Sequence, residues 1–432
     1  MIENYNHFQF LIDSNNYKWA TNCVDLYFEY IYQLYEKDRL DPRSYVDALI
    51  LLSDALPHLA SSKWEEMGYN LCRQIKSTIE KDGINPHMLG MFSGLGKQAF
   101  AVNLYFKRSG NLPSLSKTLN ELLLLAATVR TQNLMDQSMN TYASYYDCIA
   151  GISGILNYLL ETSIWHEKLS QISVLIEYLI SLTNTYSYKN YQVLKYHIPK
   201  DNLYTNLEKE LYPDGHLNLS LSHGMMGPLI ALSKAKREGI DVIGLDGAIN
   251  ILYDMYMRRK DINEFKKVVW PCYITPYEYA YNIKPMRASL LRKQRSGWCY
   301  GNISISRGME LVSHNLNLKS NEALFLKDLV EIINAEPRTY RLDNPGLCHG
   351  YASVLSIGMY LFEEIHEEIL LDSMVNCIEE IRKIIPDNLT ENTINEYFNS
   401  DISLLQGAGG LVASIIEALY GDMEYGKLLM IC

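Results

Sequence analysis

The chain has 432 residues, 48% of them hydrophobic and 21% charged, the profile of a globular protein with room for a large core. A net charge of −11 without a basic stripe excludes nucleic acid as the main partner. The first residues, Met1 to Tyr5, lack the basic and apolar regions of a targeting signal and no apolar run is long enough to span a bilayer, so a cytoplasmic location is expected, with peripheral attachment to the inner face of a membrane left open.

Taken in chain order, the sequence repeats one device. The first helix start is Pro42-Arg43-Ser44, followed by the apolar run Tyr45 to Leu52. Six later segments each place Gly before an apolar helical pattern: Ser93-Gly94, Ala150-Gly151, His223-Gly224, Tyr300-Gly301, His349-Gly350 and Gln406-Gly407. Their glycines lie 57, 73, 77, 49 and 57 residues apart. Three residues after each stands Lys97, Gly154, Gly227, Ser304, Ser353 or Gly410, small in all but the first. Glycine costs about 1 kcal/mol against alanine in a helix, so small pairs in a first turn point to crowded backbone where helix starts converge.

Between these lie more amphipathic helical patterns: Trp64 to Lys81, Ser114 to Arg130, Lys168 to Thr183, Leu245 to Arg258, Ser320 to Asn334 and Ile365 to Ile384. Alternating inner and outer helices predict an all-α chain closed into an α/α toroid, one domain over residues 1–432, with the start at Ser44 as a degenerate first repeat. A generic helical bundle with scattered glycines is the alternative. Two stretches break the rhythm, 186–221 and 268–295, rich in Tyr, Asn and Pro. They are expected as insertions over the mouth of the toroid, with short strands.

If the glycine segments are equivalent turns, equal offsets share one height. One residue before Gly stand His223, Tyr300 and His349; two before stand Ser222, Cys299 and Cys348. Cys299, Cys348 and His349 form a candidate Zn²⁺ set with one position left open, the pattern of a site that activates a ligand. His223 suits proton transfer near neutral pH. Asp147, four before Gly151, can orient that imidazole or take a proton itself. Arg295, six before Gly301, can stabilise negative charge or hold Asp147 ionised. Bland readings stand beside each: cysteines that pack, an Asp147 N-cap, and an Arg295 that belongs to a surface cluster with Arg292 and Lys293. The remaining six of the eight cysteines read as small buried hydrophobes rather than disulfides.

Four motifs now coincide in order: Tyr146-Asp147 with Gly151 and Gly154, His223-Gly224 with Gly227-Pro228, Trp298-Cys299-Tyr300-Gly301, and Cys348-His349-Gly350. Over roughly residues 40 to 420 the chain resembles the lanthionine synthetase C family, the LanC-like cyclases. The resemblance implies a toroid of seven inner and seven outer helices. It implies zinc on Cys299, Cys348 and His349, and an active-site histidine, aspartate and arginine at His223, Asp147 and Arg295. It also implies a zinc-dependent lanthionine cyclase: cysteine thiols of a dehydrated lantibiotic precursor peptide add to dehydroalanine or dehydrobutyrine, forming thioether rings. A separate dehydratase and an exporter, in a membrane-associated complex, are the implied partners. Ser304, Ser353 and Lys97 stand where the family has second glycines, and the first glycine repeat is not recognisable. A non-cyclising peptide- or glutathione-binding relative and a zinc-dependent thiol prenyltransferase-like subunit are the alternatives. A glycosidase fits poorly, because Asp147 lacks an acidic partner at its level.

Overall fold

The computed structural model describes residues 15–41, 44–136, 140–283, 295–385 and 389–432. Fourteen helices of the described residues form two concentric rings. The outer ones are α1 (Asn15–Glu36), α3 (Ser62–Asp82), α5 (Pro113–Asp136), α7 (Leu169–Ser181), α9 (Leu245–Arg259), α11 (Lys319–Ile333) and α13 (Ile369–Ile384). The inner ones are α2 (Tyr45–Ala55), α4 (Leu95–Ser109), α6 (Ile152–Leu159), α8 (Met226–Arg237), α10 (Asn302–Asn315), α12 (Tyr351–Ile365) and α14 (Ala408–Tyr420). The layers follow from composition. Every residue of α2 and of α6 is buried, as an inner helix flanked on all sides requires. In α3 only one stripe is buried, including Trp64, Met67, Leu71 and Ile75.

Consecutive inner helices pack side by side from α6 through α8, α10, α12 and α14 to α2 and α4. The ring returns to α6 through an edge-to-face contact of Phe100 with Tyr158, centroids 5.6 Å apart. Helix α1, which the sequence reading did not anticipate, supplies the seventh outer position. It packs on α14 and α13, and at this seam Tyr27 Oη donates to Ile402 O at 2.8 Å and Trp19 Nε1 to Ile385 O at 3.1 Å. The axis is filled by segment 423–431. Trp298 Nε1 donates to Leu429 O at 2.9 Å, Arg307 Nε to Ile431 O at 2.8 Å and Tyr360 Oη to Met423 O at 2.7 Å.

The small residues at the inner helix starts serve close approach, though mostly to their own preceding loops. A Cβ on Gly151 would collide with the backbone of Asp147, which folds back on the helix start. Gly227 does face the neighbouring unit, where a Cβ would lie 2.8 Å from Ser153 Oγ. Serine is tolerated at 304 and 353 because each hydroxyl turns back on its own helix, donating to Gly301 O at 3.2 Å and Gly350 O at 2.6 Å. Lys97 has a different reason. It forms an ion pair with Asp47 of α2, and both side chains are nearly buried. Asp47 Oδ1 also accepts the Leu404 N–H at 3.0 Å. The two departures from the repeat, a first unit without glycine and a lysine at 97, are therefore partners.

Short strands lie in and beside the two irregular stretches, β4 falling just before the second. β1 (Thr185–Tyr188) and β2 (Tyr191–Leu194) form an antiparallel hairpin. β3 (Leu217–Asn218) of the first stretch pairs with β6 (Tyr273–Ile274) of the second, Leu217 opposite Ile274. β4 (Asp261–Ile262) pairs with β5 (Val268–Val269). Residues 284–294 of the second stretch, with Arg292 and Lys293, lie outside the described residues, as do Pro42 and Arg43.

Candidate metal and proton-transfer site

Hydrogen bonds lace the turns that precede the inner helices. Met91 N–H donates to Ile149 O at 2.9 Å. Cys148 Sγ then contacts Ser222 O at 3.3 Å. Ser222 Oγ donates to Cys299 O at 3.1 Å, and Cys299 N–H donates to Cys348 O at 3.0 Å. Each turn thus hangs on the next, and equal offsets from the glycines arrive at one level.

There Cys299, Cys348 and His349 bring two sulfurs and an imidazole nitrogen within 4.8 Å of one another. Trp298 anchors this loop from behind, buried and bonded to the axial segment. Two sulfurs and one imidazole are the soft-to-borderline donors that Zn²⁺ takes, so the residues present fit that ion. The thiols polarise each other: hydrogen bonding to Cys348 and His349 brings Cys299 down to about 5 against its burial. Cys348 is pushed up by the same bond and by burial. The hydrogen bond to Cys299, and then its negative charge, in turn raise His349 against burial.

Beside the cluster stands an Asp–His pair. His223 Nδ1 lies 2.6 Å from Asp147 Oδ2. Asp147 is wholly buried, and its Oδ1 accepts the N–H groups of Ala150 at 2.8 Å and Gly151 at 2.9 Å. Both oxygens are thereby engaged, so the carboxylate orients the imidazole and keeps Nε2 as the ring's other nitrogen for exchange. Burial pulls His223 down, but its bond to Asp147 and the charges of Asp147 and Cys299 prevail, leaving it raised.

Arg295 does not meet Asp147 by hydrogen bond. Its Nη2 pairs with Asp343 Oδ2 at 3.3 Å, and its charge acts on His349. The guanidinium beside Asp147 is instead that of Arg130, from outer helix α5. It donates to Ser144 O at 2.8 Å and Ala150 O at 3.0 Å, clasping both arms of the loop that carries Asp147. Burial lowers Arg130 while Asp147 opposes that shift. Sequence spacing gave no sign of Arg130, because an outer helix has no fixed offset from the glycines. Tyr300 also reaches this level: its hydroxyl accepts Asn218 Nδ2 at 3.1 Å, and burial moves it up to about 12.

Comparison with known proteins places this arrangement. The family model described as lanthionine synthetase C-like protein matches residues 48–428, and the chain belongs to that family. Among its relatives is the nisin biosynthesis protein NisC of Lactococcus lactis subsp. lactis, 27% identical over 245 residues, a match covering 52% of this chain and 55% of that protein. The match thus spans about half the length of that curated relative. The solved structure of nisin cyclase superposes with a TM-score of 0.77 at 21% identity, covering 94% of this chain and 96% of that one. At that identity the superposition shows the fold, a double helical ring. Among the described residues no helix is long and apolar enough to cross a membrane.

Proposed function

We infer that the protein is a lanthionine cyclase: it joins cysteine thiols of a dehydrated lantibiotic precursor peptide to dehydroalanine or dehydrobutyrine residues by intramolecular Michael addition. The observation that carries this reading is one level of the ring holding both a thiolate–imidazole metal set and a carboxylate-oriented histidine. Family membership supports it.

Cys299, Cys348 and His349 would hold Zn²⁺, which when bound makes a substrate thiol acidic enough to react as thiolate near neutral pH. The rest is done by the chain's own groups. Addition forms one C–S bond and shifts the alkene electron pair through Cα to the carbonyl oxygen. Cα then needs one proton, matching the one the thiol lost. His223 as imidazolium supplies it from Nε2, since Nδ1 is committed to Asp147. Asp147 has both oxygens engaged and acts by holding the ring and favouring its charged form. Arg295, near His349, offsets negative charge at the edge of the metal set. Peptide mass is unchanged throughout.

Segments 186–221 and 268–295 belong, on this reading, to the mouth of a single toroid domain. The protein works in the cytoplasm, where thiols stay reduced, alongside a separate dehydratase and an exporter at the membrane. The test is to give zinc-loaded protein a dehydrated precursor peptide. Free thiols should vanish at constant mass, with ring fragments by tandem mass spectrometry. An added isoprenoid mass would indicate a prenyltransferase-type reaction, and unchanged thiols at saturating zinc would sink the reading.

A further inference from the structure

Tyr204 is not part of the residue set above, yet its ring lies 5.0 Å from the His223 imidazole, tilted by 54°. It comes from the first irregular stretch, not from an inner helix. A single exposed aromatic normally needs no explanation, and Tyr204 is 57% exposed. Three observations set it apart.

First, its neighbours are fastened. Leu203 is buried in a small cluster with Ala143 and Ile198. Asn202 Nδ2 donates to Asn140 Oδ1 at 2.8 Å and to Thr141 O at 3.0 Å. Thr205 caps the short helix Asn206–Leu211 in a reciprocal box with Glu208, and Glu208 Oε1 accepts Tyr273 Oη at 3.0 Å. A ring with anchored residues on both sides is held in the open by the surrounding structure rather than left there. Second, those anchors reach the segment that runs into Asp147, so Tyr204 and the Asp–His pair share one support. Third, the chemistry requires a substrate atom there. Proton delivery from His223 needs Cα of the dehydrated residue within hydrogen-bond reach of the imidazole. A ring 5.0 Å from that imidazole and itself more than half exposed is within reach of the reacting residue.

We propose that Tyr204 is a specificity-determining residue whose ring face forms the outer wall of the site and stacks on the planar, conjugated enamide of the dehydrated residue. This rests on the cyclase reading and deepens it: the ring selects the unsaturated, flat residue over its saturated counterpart. Aromatic stacking of this kind corresponds to about two- to tenfold in affinity, and the planar face, not the hydroxyl, carries it.

The experiment compares zinc-loaded wild type, Tyr204→Phe and Tyr204→Ala, all full chain, with thermal melting and zinc content checked for each. The probes are two short peptides without cysteine, one bearing dehydroalanine and one alanine at the same place, titrated by calorimetry. Wild type and Tyr204→Phe should prefer the dehydroalanine peptide by about two- to tenfold, and Tyr204→Ala should bind both alike. In turnover, Tyr204→Ala should raise KM with kcat nearly kept. An undiminished preference in Tyr204→Ala, a Tyr204→Phe as damaged as the alanine variant, or equal loss for both peptides would overturn the proposal. Failure of wild type to cyclise a cysteine-bearing dehydrated peptide would instead sink the functional reading beneath it.

Discussion

Replacing Asp147 by Asn changes one atom and leaves the fold's packing in place, and the structure says what that atom does. Asp147 Oδ1 accepts two backbone N–H groups while Oδ2 faces His223 Nδ1 at 2.6 Å. An asparagine that keeps its oxygen on the two N–H groups must turn its NH₂ toward His223. That forces Nδ1 to accept, moves the ring proton to Nε2 and removes the negative charge. The flipped amide instead sets NH₂ against two donors. A hydrogen bond to a charged group contributes about 1.5–3 kcal/mol, or roughly 10- to 150-fold, and loss of a positioned general acid typically costs 10²–10⁴-fold. A decrease of about 10²-fold in kcat is expected, with zinc content unchanged. There is also a sign. Burial, the largest influence on His223, lowers its pKa and is overcome only with the help of Asp147. Without the carboxylate the imidazolium survives only at lower pH, so the activity of Asp147→Asn should fall off at a lower pH than that of wild type. The assay is thiol loss from dehydrated peptide by alkylation and mass spectrometry across pH about 5 to 8. A variant within threefold of wild type, or one whose loss tracks lost zinc, would refute the reasoning.

Further outcomes follow from other contacts. Cys299→Ala, Cys348→Ala and His349→Ala should each lose or sharply weaken a bound zinc, read by elemental analysis, since each removes one of three donors; unchanged zinc would break the ligand set. Arg130→Met should lower kcat about tenfold by loosening both arms of the Asp147 loop, with substantial recovery in Arg130→Lys, whereas a variant at wild-type rate would leave Arg130 a mere strut. Lys97→Met strands the buried Asp47 carboxylate and should cost about 3–5 kcal/mol in urea denaturation; adding Asp47→Leu should recover part of it. His216 is buried, packs against Tyr273 with ring centroids 4.1 Å apart and is held down to about 3 by burial. The unfolded chain takes its proton near pH 6.5, so this site's stability is full above that and falls as pH drops toward 3, by about 2 kcal/mol at pH 5. His216→Phe should flatten that slope in melts taken between pH 7 and 5; an unchanged slope assigns the acid sensitivity elsewhere.

Legibility in the sequence tracked chain proximity. Cys299, Cys348, His349, His223 and Asp147 could be read because each sits at a short, fixed offset from a glycine, and the lacing of turns turns equal offset into equal height. Arg130 and Tyr204 reach the same place from an outer helix and an irregular stretch, where no periodicity applies. Arg295 was found by motif, but its partner was not: Asp343 stands 48 residues on, in an irregular segment. Helix α1 went unread for a similar reason. Its apolar stripe, Trp19, Cys23, Tyr27 and Ile31, is ordinary, and only contact with α14 gives it a role. The lysine at 97 looked like a flaw in the repeat until Asp47 supplied its reason.

The chemistry-bearing turns lead into α6, α8, α10 and α12, four consecutive staves of the ring, whereas α1 meets α14 and α13 at the seam beyond them. A hoop has a definite radius only once it is joined. The separation of Cys299 from Cys348, and of both from His223, is in that sense a property of the whole circumference. Tyr27 and Trp19, which touch none of these groups, act as the rivet that sets it.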